Sequence, residues 1–386
     1  MLQFPIYLDN NATTLVDSRV LESMVPFFTK YFGNAASSSH AFGWQAAESI
    51  DIAREQVAQL VDAEPNEIVF TSGATESDNL ALKGVFERYQ PKGNHIITVK
   101  TEHKAVLDSC KHLEKLGAEV TYLDVDKEGL IDIEELESAI QSNTILISVM
   151  YANNETGVIQ PIKEIGRVAK NKEVLFFTDA TQAVGKIPVD VIEDGIDLMA
   201  FSAHKMYGPK GTGALYVRRK DPRVRMIAQM DGGGHERGMR SGTLNVPGIA
   251  GFGKACQLCR EEMHSDTEKT GRLRDRLENE LLAIEGTTIN GSTIHRLPNT
   301  SNLSFEKADS TDLMMKFSRN IALSSGSACT SATHSPSYVL KALGLSDEVA
   351  LSSLRFGLGR FTTEEQIDYT IQQFHHMLSG NKSGKI

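Results

Sequence analysis

The chain has 386 residues, of which 40% are hydrophobic and 23% are charged, so it is long enough to bury a large core and to form more than one domain. Its formal net charge of −10 is spread along the sequence without a basic patch. This distribution argues against nucleic acids and anionic membranes as direct partners.

The N-terminal residues lack the basic start and the long apolar stretch of a signal peptide. No apolar run approaches the roughly 20 residues that a membrane-spanning helix needs. We therefore expect a cytoplasmic protein that does not associate with membranes.

The chain contains 4 cysteines, which are too few for a disulfide framework at this length. Cys256 and Cys259 have the C-x-x-C spacing of metal ligands, but they lie in a helical segment and no second pair accompanies them. We expect both to be ordinary helix residues, and we expect no metal site.

Short apolar runs alternate with amphipathic segments from about residue 66 to residue 218. The apolar runs are 67–71, 95–100, 118–123, 145–151, 174–178, 198–202 and 214–218. Segments with helical periodicity, such as 105–116 and 133–140, separate many of them. This alternation predicts an α/β fold with a largely parallel sheet that helices bury on both faces. Ligands of such sheets bind at the carboxyl ends of the strands.

The sequence changes in character after the three consecutive glycines at 232–234. A long helical stretch from about 246 to 284 leads into shorter strand and helix candidates. We predict a large domain at residues 16–254 and a smaller α+β domain formed by residues 1–15 and 255–386.

The segment Thr71–Glu76 follows one of the apolar runs and precedes a helical stretch. Backbone amides and small hydroxyls at the start of a helix are suited to binding phosphate, because the helix dipole favours negative charge there. Gly73 allows a ligand to approach the backbone closely. A plain capping turn is an equally good interpretation of this segment alone.

Two ionisable residues follow other apolar runs. Asp179 stands just past a buried strand, where a carboxylate needs a partner such as a protonated pyridine nitrogen. Lys205 follows the next run and precedes a Tyr-Gly-Pro turn, where reduced solvation would lower its pKa and suit it to Schiff-base chemistry. Taken singly, an N-cap aspartate and a surface lysine remain open interpretations.

Two further strand ends carry polar groups. His103 could stack on a planar ring and relay protons, although a helix-capping histidine is the alternative. The segment Asn153–Gly157 offers amide groups to a ring oxygen or to a substrate carboxylate. Independent structural explanations at all of these strand ends are improbable together.

Cys329 lies in a stretch of small residues, Ser324–Thr333, with hydroxyl groups around it. Such a loop could carry a thiol to a substrate and then to a partner. Arg355, in a strand-like segment, could bind an amino-acid carboxylate through two hydrogen bonds. An ordinary salt bridge is the alternative for Arg355.

At this point the sequence closely resembles the cysteine desulfurases of the NifS/IscS class, which are pyridoxal-phosphate enzymes of the class-V aminotransferase family and the aspartate aminotransferase fold superfamily. The resemblance runs from residues 7–14 to residues 358–361. Its most specific segments are 71–77, 101–104, 179–182, 204–205, 232–243 and 324–331. It implies the fold of that superfamily.

The resemblance implies that Lys205 holds pyridoxal 5′-phosphate covalently, with Asp179 at the ring nitrogen and His103 stacked over the ring. The other implied cofactor-binding residues are Ala74, Thr75, Asn154, Gln182, Ser202, His204 and Thr243. Thr243 would come from the second subunit of a homodimer. Asn154 and Arg355 would bind the substrate.

By the same resemblance, L-cysteine would be converted to L-alanine, and Cys329 would take the sulfur as a persulfide and pass it to an acceptor protein. The acceptor could serve iron–sulfur cluster assembly, tRNA thiolation or DNA phosphorothioation. Ala203 stands where the family usually has glycine, and the chain ends soon after Met377 without the longer tail of housekeeping members. The missing tail leaves the identity of the sulfur-acceptor protein open.

Rival interpretations remain within and outside the enzymes. An aminotransferase or a selenocysteine lyase would share the fold, but the extended small-residue segment around Cys329 argues against both. A non-catalytic sulfur-carrier subunit is the alternative from another class of protein. The intact set of Lys205, Asp179 and His103 argues against that alternative.

Overall fold

The computed structural model describes residues 2–306, 308–325 and 335–379. Its strands are β1 Ile6–Tyr7, β2 Ile68–Thr71, β3 His95–Val99, β4 Glu119–Leu123, β5 Thr144–Ser148, β6 Leu175–Asp179, β7 Leu198–Ser202, β8 Gly213–Val217, β9 Thr287–Ile289, β10 Thr300–Phe305, β11 Ile321–Ala322 and β12 Ser353–Gly357. The seven strands from β2 to β8 coincide with the seven predicted apolar runs to within a few residues.

The helices of the described residues fill the segments between these strands. They are α1 Ser18–Met24, α2 Pro26–Thr29, α3 Ala41–Leu60, α4 Ala74–Tyr89, α5 Lys104–Glu114, α6 Ile133–Ala139, α7 Ile162–Asn171, α8 Val246–Leu282, α9 Ser310–Phe317, α10 Tyr338–Ala342, α11 Asp347–Leu351 and α12 Glu364–Ser379. No helix in the described ranges is long and apolar enough to cross a lipid bilayer.

The strands β2 to β8 form one sheet in the order β2-β8-β7-β6-β5-β3-β4. The pairs from β7 to β4 are parallel, whereas β8 runs antiparallel to both β2 and β7. The predicted α/β fold with a largely parallel sheet is therefore confirmed. Because β3, β5, β6 and β7 run in one direction, their carboxyl ends meet at one edge of the sheet.

Both faces of this sheet are buried. Residues such as Phe176 and Phe201 point to one face, where α3, α7 and the first turns of α8 cover them. Their neighbours Phe177 and Ala200 point to the other face, against α4 and α5. This alternation of apolar side chains on both sides explains why the strands are near-continuous apolar runs in the sequence.

A third apolar cluster lies outside the large sheet. It combines β1 with the C-terminal half of α8, the antiparallel sheet β12-β10-β9, and helices α9 and α12. The buried members of this cluster lie at residues 6–8 and 273–374. α8 runs continuously across the predicted boundary at residue 254, and the boundary itself stays a prediction.

Cys256 and Cys259 are fully buried on α8 among apolar side chains. The thiol of Cys259 contacts the backbone oxygen of Met206, and the thiol of Cys256 contacts the sulfur of the same residue. Both are core residues of a helix, as predicted.

Replacing Phe374 with alanine tests the packing of the third cluster. The Phe374 ring stacks on Phe317 at a centroid distance of 4.6 Å and lies 5.3 Å from Phe305. We expect Phe374→Ala to lower the free energy of unfolding by about 3–5 kcal/mol, because it leaves a cavity in a buried aromatic cluster. Urea denaturation would measure this change. Met315→Ala, at a side chain that is 68% exposed, is the control, and an equal loss in both variants would contradict the assignment.

Candidate active site

A cavity of about 510 Å³ opens at the edge of the large sheet where the parallel strands end. It is lined by Asn11, Ala12, Thr13, Ser72, Gly73, Ala74, Thr75, Glu76, His103, Met150, Ala152, Asn154, Asp179, Thr181, Gln182, Ser202, His204, Lys205, Lys210, Gly211 and Arg355. The structure thus brings together every predicted site residue except Thr243 and Cys329. Thr243 is exposed elsewhere on the surface, and Cys329 lies outside the described residues.

The amino end of α4 forms one wall of the cavity. Its N-cap residue, Gly73, has a φ of 154° and supplies no side-chain cap to the helix. The first backbone N–H groups of a 16-residue helix therefore lack the usual side-chain acceptor. Ala74 and Thr75 are the first helical residues there. This end of the helix is suited to binding an anion such as a phosphate.

Close backbone packing shapes the same wall. A Cβ atom at Gly213, the first residue of β8, would lie 2.6 Å from the Cα atom of Gly73. Only glycine at position 213 permits the strand and the loop to approach this closely. Nearby, the hydroxyl of Ser202 donates a hydrogen bond to the backbone oxygen of Thr212 at 3.3 Å.

His204 follows β7 beside this anion site. Burial, followed by the charges of Lys205 and Lys210, lowers the pKa of His204 to about 4. Its ring is therefore neutral near pH 7. Nδ1 lies 3.1 Å from the hydroxyl of Thr13, so the N-terminal segment holds the ring in place.

Asp179 is the last residue of β6 and is 6% exposed. One of its carboxylate oxygens accepts a hydrogen bond from the backbone N–H of Thr181 at 2.9 Å. The carboxylate is thereby fixed at the floor of the cavity, where it can pair with a cationic nitrogen of a bound ligand.

His103 is the N-cap of α5, and its Nδ1 accepts a hydrogen bond from the backbone N–H of Ala105 at 3.2 Å. A nitrogen that accepts carries no hydrogen, so in the neutral ring the proton resides on Nε2. Burial lowers the pKa of His103, although the charge of Asp179 opposes this shift. The helix-capping role and a place in the cavity are therefore compatible for this residue.

Lys205 ends a 3₁₀ turn that follows β7. Its Nζ donates hydrogen bonds to the backbone oxygens of Asn11 at 2.6 Å and Ala12 at 2.7 Å. The amine is thus held between the sheet edge and the N-terminal segment.

Arg355 enters the cavity from β12 and is 1% exposed. Its guanidinium donates to Asp9 Oδ1 at 2.7 Å and to the backbone oxygen of Asn154 at 2.9 Å. Its Nε is buried and has no hydrogen-bond partner among the described residues. The side-chain oxygen of Asn154 is likewise buried and unpartnered. Both atoms therefore keep unused hydrogen-bonding capacity within the wall of the cavity.

Gln182 connects two parts of the site. Its amide nitrogen donates to the backbone oxygen of Asn11 at 2.9 Å, and its amide oxygen accepts from Nζ of Lys186 at 2.8 Å. Burial, followed by the charges of Lys205 and Arg355, lowers the pKa of Lys186 to about 7. Sequence reasoning missed Lys186, whose only signal is its position four residues after Gln182.

Sequence reasoning also missed Asp78, which lies on α4 just behind the cavity. One donor atom from each of Asp78, His103 and Asp179 lies within 4.8 Å of the other two. Asp78 shares a helix face with the apolar residues Ala81, Leu82 and Val85, and this spacing was the available signal of its burial. The N-terminal residues 11–13, which line the cavity, were recognised as a motif but given no role.

The described segments before and after Cys329 are hydrogen-bonded to residues in or next to the wall of the cavity. The backbone N–H of Arg355 donates to the backbone oxygen of Ser324 at 2.7 Å. Beyond residue 334, the hydroxyl of Ser337 donates to the carboxylate of Glu155 at 2.5 Å. Glu155 belongs to the loop that also carries Asn154.

The donor groups of the cavity fit a phosphorylated pyridine aldehyde. An uncapped helix end suits the phosphate, a fixed carboxylate suits a protonated ring nitrogen, and a lysine amine suits an aldehyde carbon. The unpartnered oxygen of Asn154 and the unpartnered Nε of Arg355 suit polar groups of a cofactor or substrate.

The sequence model of the aminotransferase class-V family matches residues 6–370. Cysteine desulfurase IscS of Anaeromyxobacter sp. (strain Fw109-5) is 59% identical over 372 residues, which cover 96% of this chain and 92% of the relative. Cysteine desulfurase IscS of Proteus mirabilis (strain HI4320) is 58% identical over 376 residues, which cover 97% of this chain and 93% of the relative. The chain belongs to the class-V aminotransferase family. Within it, the chain groups with the cysteine desulfurases of the NifS/IscS class.

Solved structures agree with this assignment. A NifS-like protein that is 39% identical has a TM-score of 0.90, with 98% of this chain and 100% of the other covered. SspA in complex with cysteine is 38% identical and has a TM-score of 0.80, and the match covers 93% of this chain and 100% of the other. Members of this family are pyridoxal-phosphate enzymes, and the cofactor of this chain is pyridoxal 5′-phosphate.

Replacing Gly213 with alanine tests the shape of the anion site. The added Cβ would push against the backbone of Gly73, so we expect pyridoxal phosphate to bind about tenfold more weakly, a change of roughly 1.4 kcal/mol. Titration of the cofactor-free protein with pyridoxal phosphate measures this. Gly271→Ala, whose nearest neighbour would lie 3.9 Å away, is the matched control. Unchanged affinity in a folded Gly213→Ala protein would contradict the role given to this wall.

Proposed function

We propose that this chain is a cysteine desulfurase that removes sulfur from L-cysteine, stores it as a persulfide on Cys329 and releases L-alanine. The observation that carries this proposal is the convergence of Lys205, Asp179, His103 and Arg355 on one cavity. The likeness to cysteine desulfurases over nearly the whole chain supports the same activity.

The cofactor, when bound, supplies an aldehyde carbon that accepts the substrate amine and an electron-poor ring that withdraws electrons from the substrate's α-carbon. Asp179 pairs with the ring nitrogen and keeps it protonated. The start of α4 at Ala74 and Thr75 binds the phosphate together with Ser202 and His204. Gln182 faces the ring, and Lys205 is the attachment point.

Arg355 binds the substrate carboxylate in this proposal. Two of its nitrogens are held by Asp9 and by the backbone of Asn154, so its direction is fixed before the substrate arrives. The second N–H of each terminal nitrogen is not used in these two hydrogen bonds and remains to donate to the carboxylate. Asn154 contributes the second polar contact through its side chain.

Two residues move protons. Lys205 would serve as the base: its amine would take the α-proton of the substrate and return a proton to the product. His103 exchanges a proton with the sulfur groups through Nε2, because its Nδ1 is occupied by the backbone of Ala105. The lowered pKa of His103 keeps the ring neutral near pH 7, with the proton on Nε2 available for donation to the sulfur groups.

The thiolate of Cys329 attacks the substrate sulfur. A bond forms between the two sulfur atoms, and the bond between the substrate sulfur and its β-carbon breaks. The carbon keeps that electron pair and is protonated, which gives alanine without an external oxidant or reductant. The attachment of Ser324 next to Arg355 supports delivery of this thiol to the cavity.

We also propose a homodimer and an acceptor protein. Thr243 is exposed, and the described lining of the cavity does not include it, so a second copy would have to supply its hydroxyl to the phosphate. The acceptor takes the sulfur to iron–sulfur cluster assembly, tRNA thiolation or DNA phosphorothioation. A cytoplasmic location stays a prediction.

The Cys329→Ser variant tests the proposed sulfur transfer. We expect it to keep the cofactor absorbance and the spectral change on adding L-cysteine, because the groups that bind cofactor and substrate remain. We expect alanine release to fall by at least about a hundredfold, since a hydroxyl cannot replace the thiolate nucleophile. Stopped assays of alanine with a reductant present measure this rate. Cys110→Ser, at a buried cysteine, is the control, and wild-type alanine release by Cys329→Ser would overturn the proposal.

A further inference from the structure

Asp78 is a buried acid that the proposed reaction does not use. It lies in the second turn of α4, is 0% exposed, and neither of its carboxyl oxygens has a hydrogen-bond partner among the described residues. A charged carboxylate in such a position would be strongly destabilising. Its position therefore needs a physical explanation.

The groups that face Asp78 offer it no positive charge to pair with. Asp179 approaches from β6, and His103 and Glu102 approach from the segment before α5. Glu102 is itself fully buried, and among the described residues only one of its carboxyl oxygens is hydrogen-bonded, to the backbone N–H of Met150. The described ion pairs include none with Asp78.

The face of the sheet that α4 covers is largely apolar, although the buried hydroxyls of Thr98 and Ser148 also lie on it. Against the inner face of α4, the sheet and α5 contribute Val69, Leu146, Phe177, Ala200, Leu215, Val106 and Cys110. Burial raises the pKa of the Cys110 thiol to about 12, so this group is neutral. These side chains offer the carboxyl of Asp78 no cationic partner.

Two carboxyl groups this close cannot both be ionised at low cost in a buried site. Asp179 is the better anion of the two, because the backbone N–H of Thr181 stabilises its charge and it lines the cavity. Burial, followed by the charges of Asp179 and Glu102, raises the pKa of Asp78 well above its usual value. The proton of the pair therefore belongs on Asp78.

We propose that Asp78 is held as an uncharged carboxylic acid behind Asp179, so that the pair carries one negative charge located where the cofactor's ring nitrogen binds. This inference rests on the proposed function. Because Asp78 is uncharged, His103 does not face a second anion. A neutral amide at position 78 would preserve this distribution of charge.

Infrared spectroscopy of the holoenzyme tests the protonation of Asp78. With carbon-13 labelled aspartate, the wild type should show a carboxylic-acid C=O band near neutral pH that disappears in Asp78→Asn. Asp312→Asn, at an exposed aspartate of α9 paired with Lys316, should leave the band unchanged. Absence of the band in the wild type, or its persistence in Asp78→Asn, would overturn the inference, as would a stoichiometric metal ion bound at these residues.

A pH series of thermal unfolding gives a second readout that does not depend on activity. Asp78 keeps its proton in the folded protein but loses it in the unfolded chain above about pH 4. The folded wild type therefore loses stability relative to Asp78→Asn as the pH rises from about 4 toward the folded pKa. The Tm advantage of Asp78→Asn should grow between about pH 5 and pH 8. A constant Tm difference over this range would contradict a protonated Asp78.

The charge of the pair is also tested on the absorbance of the bound cofactor. We expect the pH midpoint of its spectral titration in Asp78→Asn to match the wild type, because one uncharged side chain replaces another. A midpoint shifted by roughly one pH unit or more in a folded Asp78→Asn protein would show that the carboxyl is charged in the wild type, and would overturn the inference. Alanine release by the wild type, measured in parallel, reports separately on the proposed function.

Discussion

The N-terminal segment 10–14 holds the catalytic cavity together, because its hydrogen bonds join the large sheet to the C-terminal strands. The backbone and side chain of Asn10 both bond to the backbone oxygen of Gly357 on β12, while the backbone and hydroxyl of Thr14 both donate to the backbone oxygen of His204. Between them, the backbone oxygen of Asn11 accepts from both Lys205 and Gln182. One short segment therefore fixes the amine of Lys205 and the amide of Gln182, which both line the cavity.

This arrangement explains how so many polar groups can be buried in one place. Buried polar groups are tolerated only when they are hydrogen-bonded or when they await a ligand. The cavity contains both kinds. Lys205 and Gln182 are satisfied by the N-terminal segment, whereas the oxygen of Asn154 and Nε of Arg355 have no partner within the described ranges. The first kind gives the site its shape, and we propose that the second kind contributes to binding.

Much of the fold and of the cavity was predictable because both follow from the strand ends. Buried parallel strands are apolar runs, so their number and positions could be read directly, and their carboxyl ends must share one edge. The antiparallel direction of β8 could not be read, because its apolar run looks like its neighbours. The contact of Lys205 with Asn11 spans 194 residues and has no local signal. The burial of Asp78 was not predicted either, because an aspartate within a helix is usually exposed. Its burial depends on how α5 and β6 pack against α4.

The central claim is that the cavity transfers sulfur from L-cysteine to Cys329. Mass spectrometry of the holoenzyme after one turnover with sulfur-34 L-cysteine, with peptide mapping and a parallel assay of alanine, tests it most directly. The account predicts that the peptide containing Cys329 gains one labelled sulfur atom and that one alanine is formed for each sulfur bound. Label on Cys110, Cys256 or Cys259 instead, or alanine formed without any protein-bound sulfur, would contradict it.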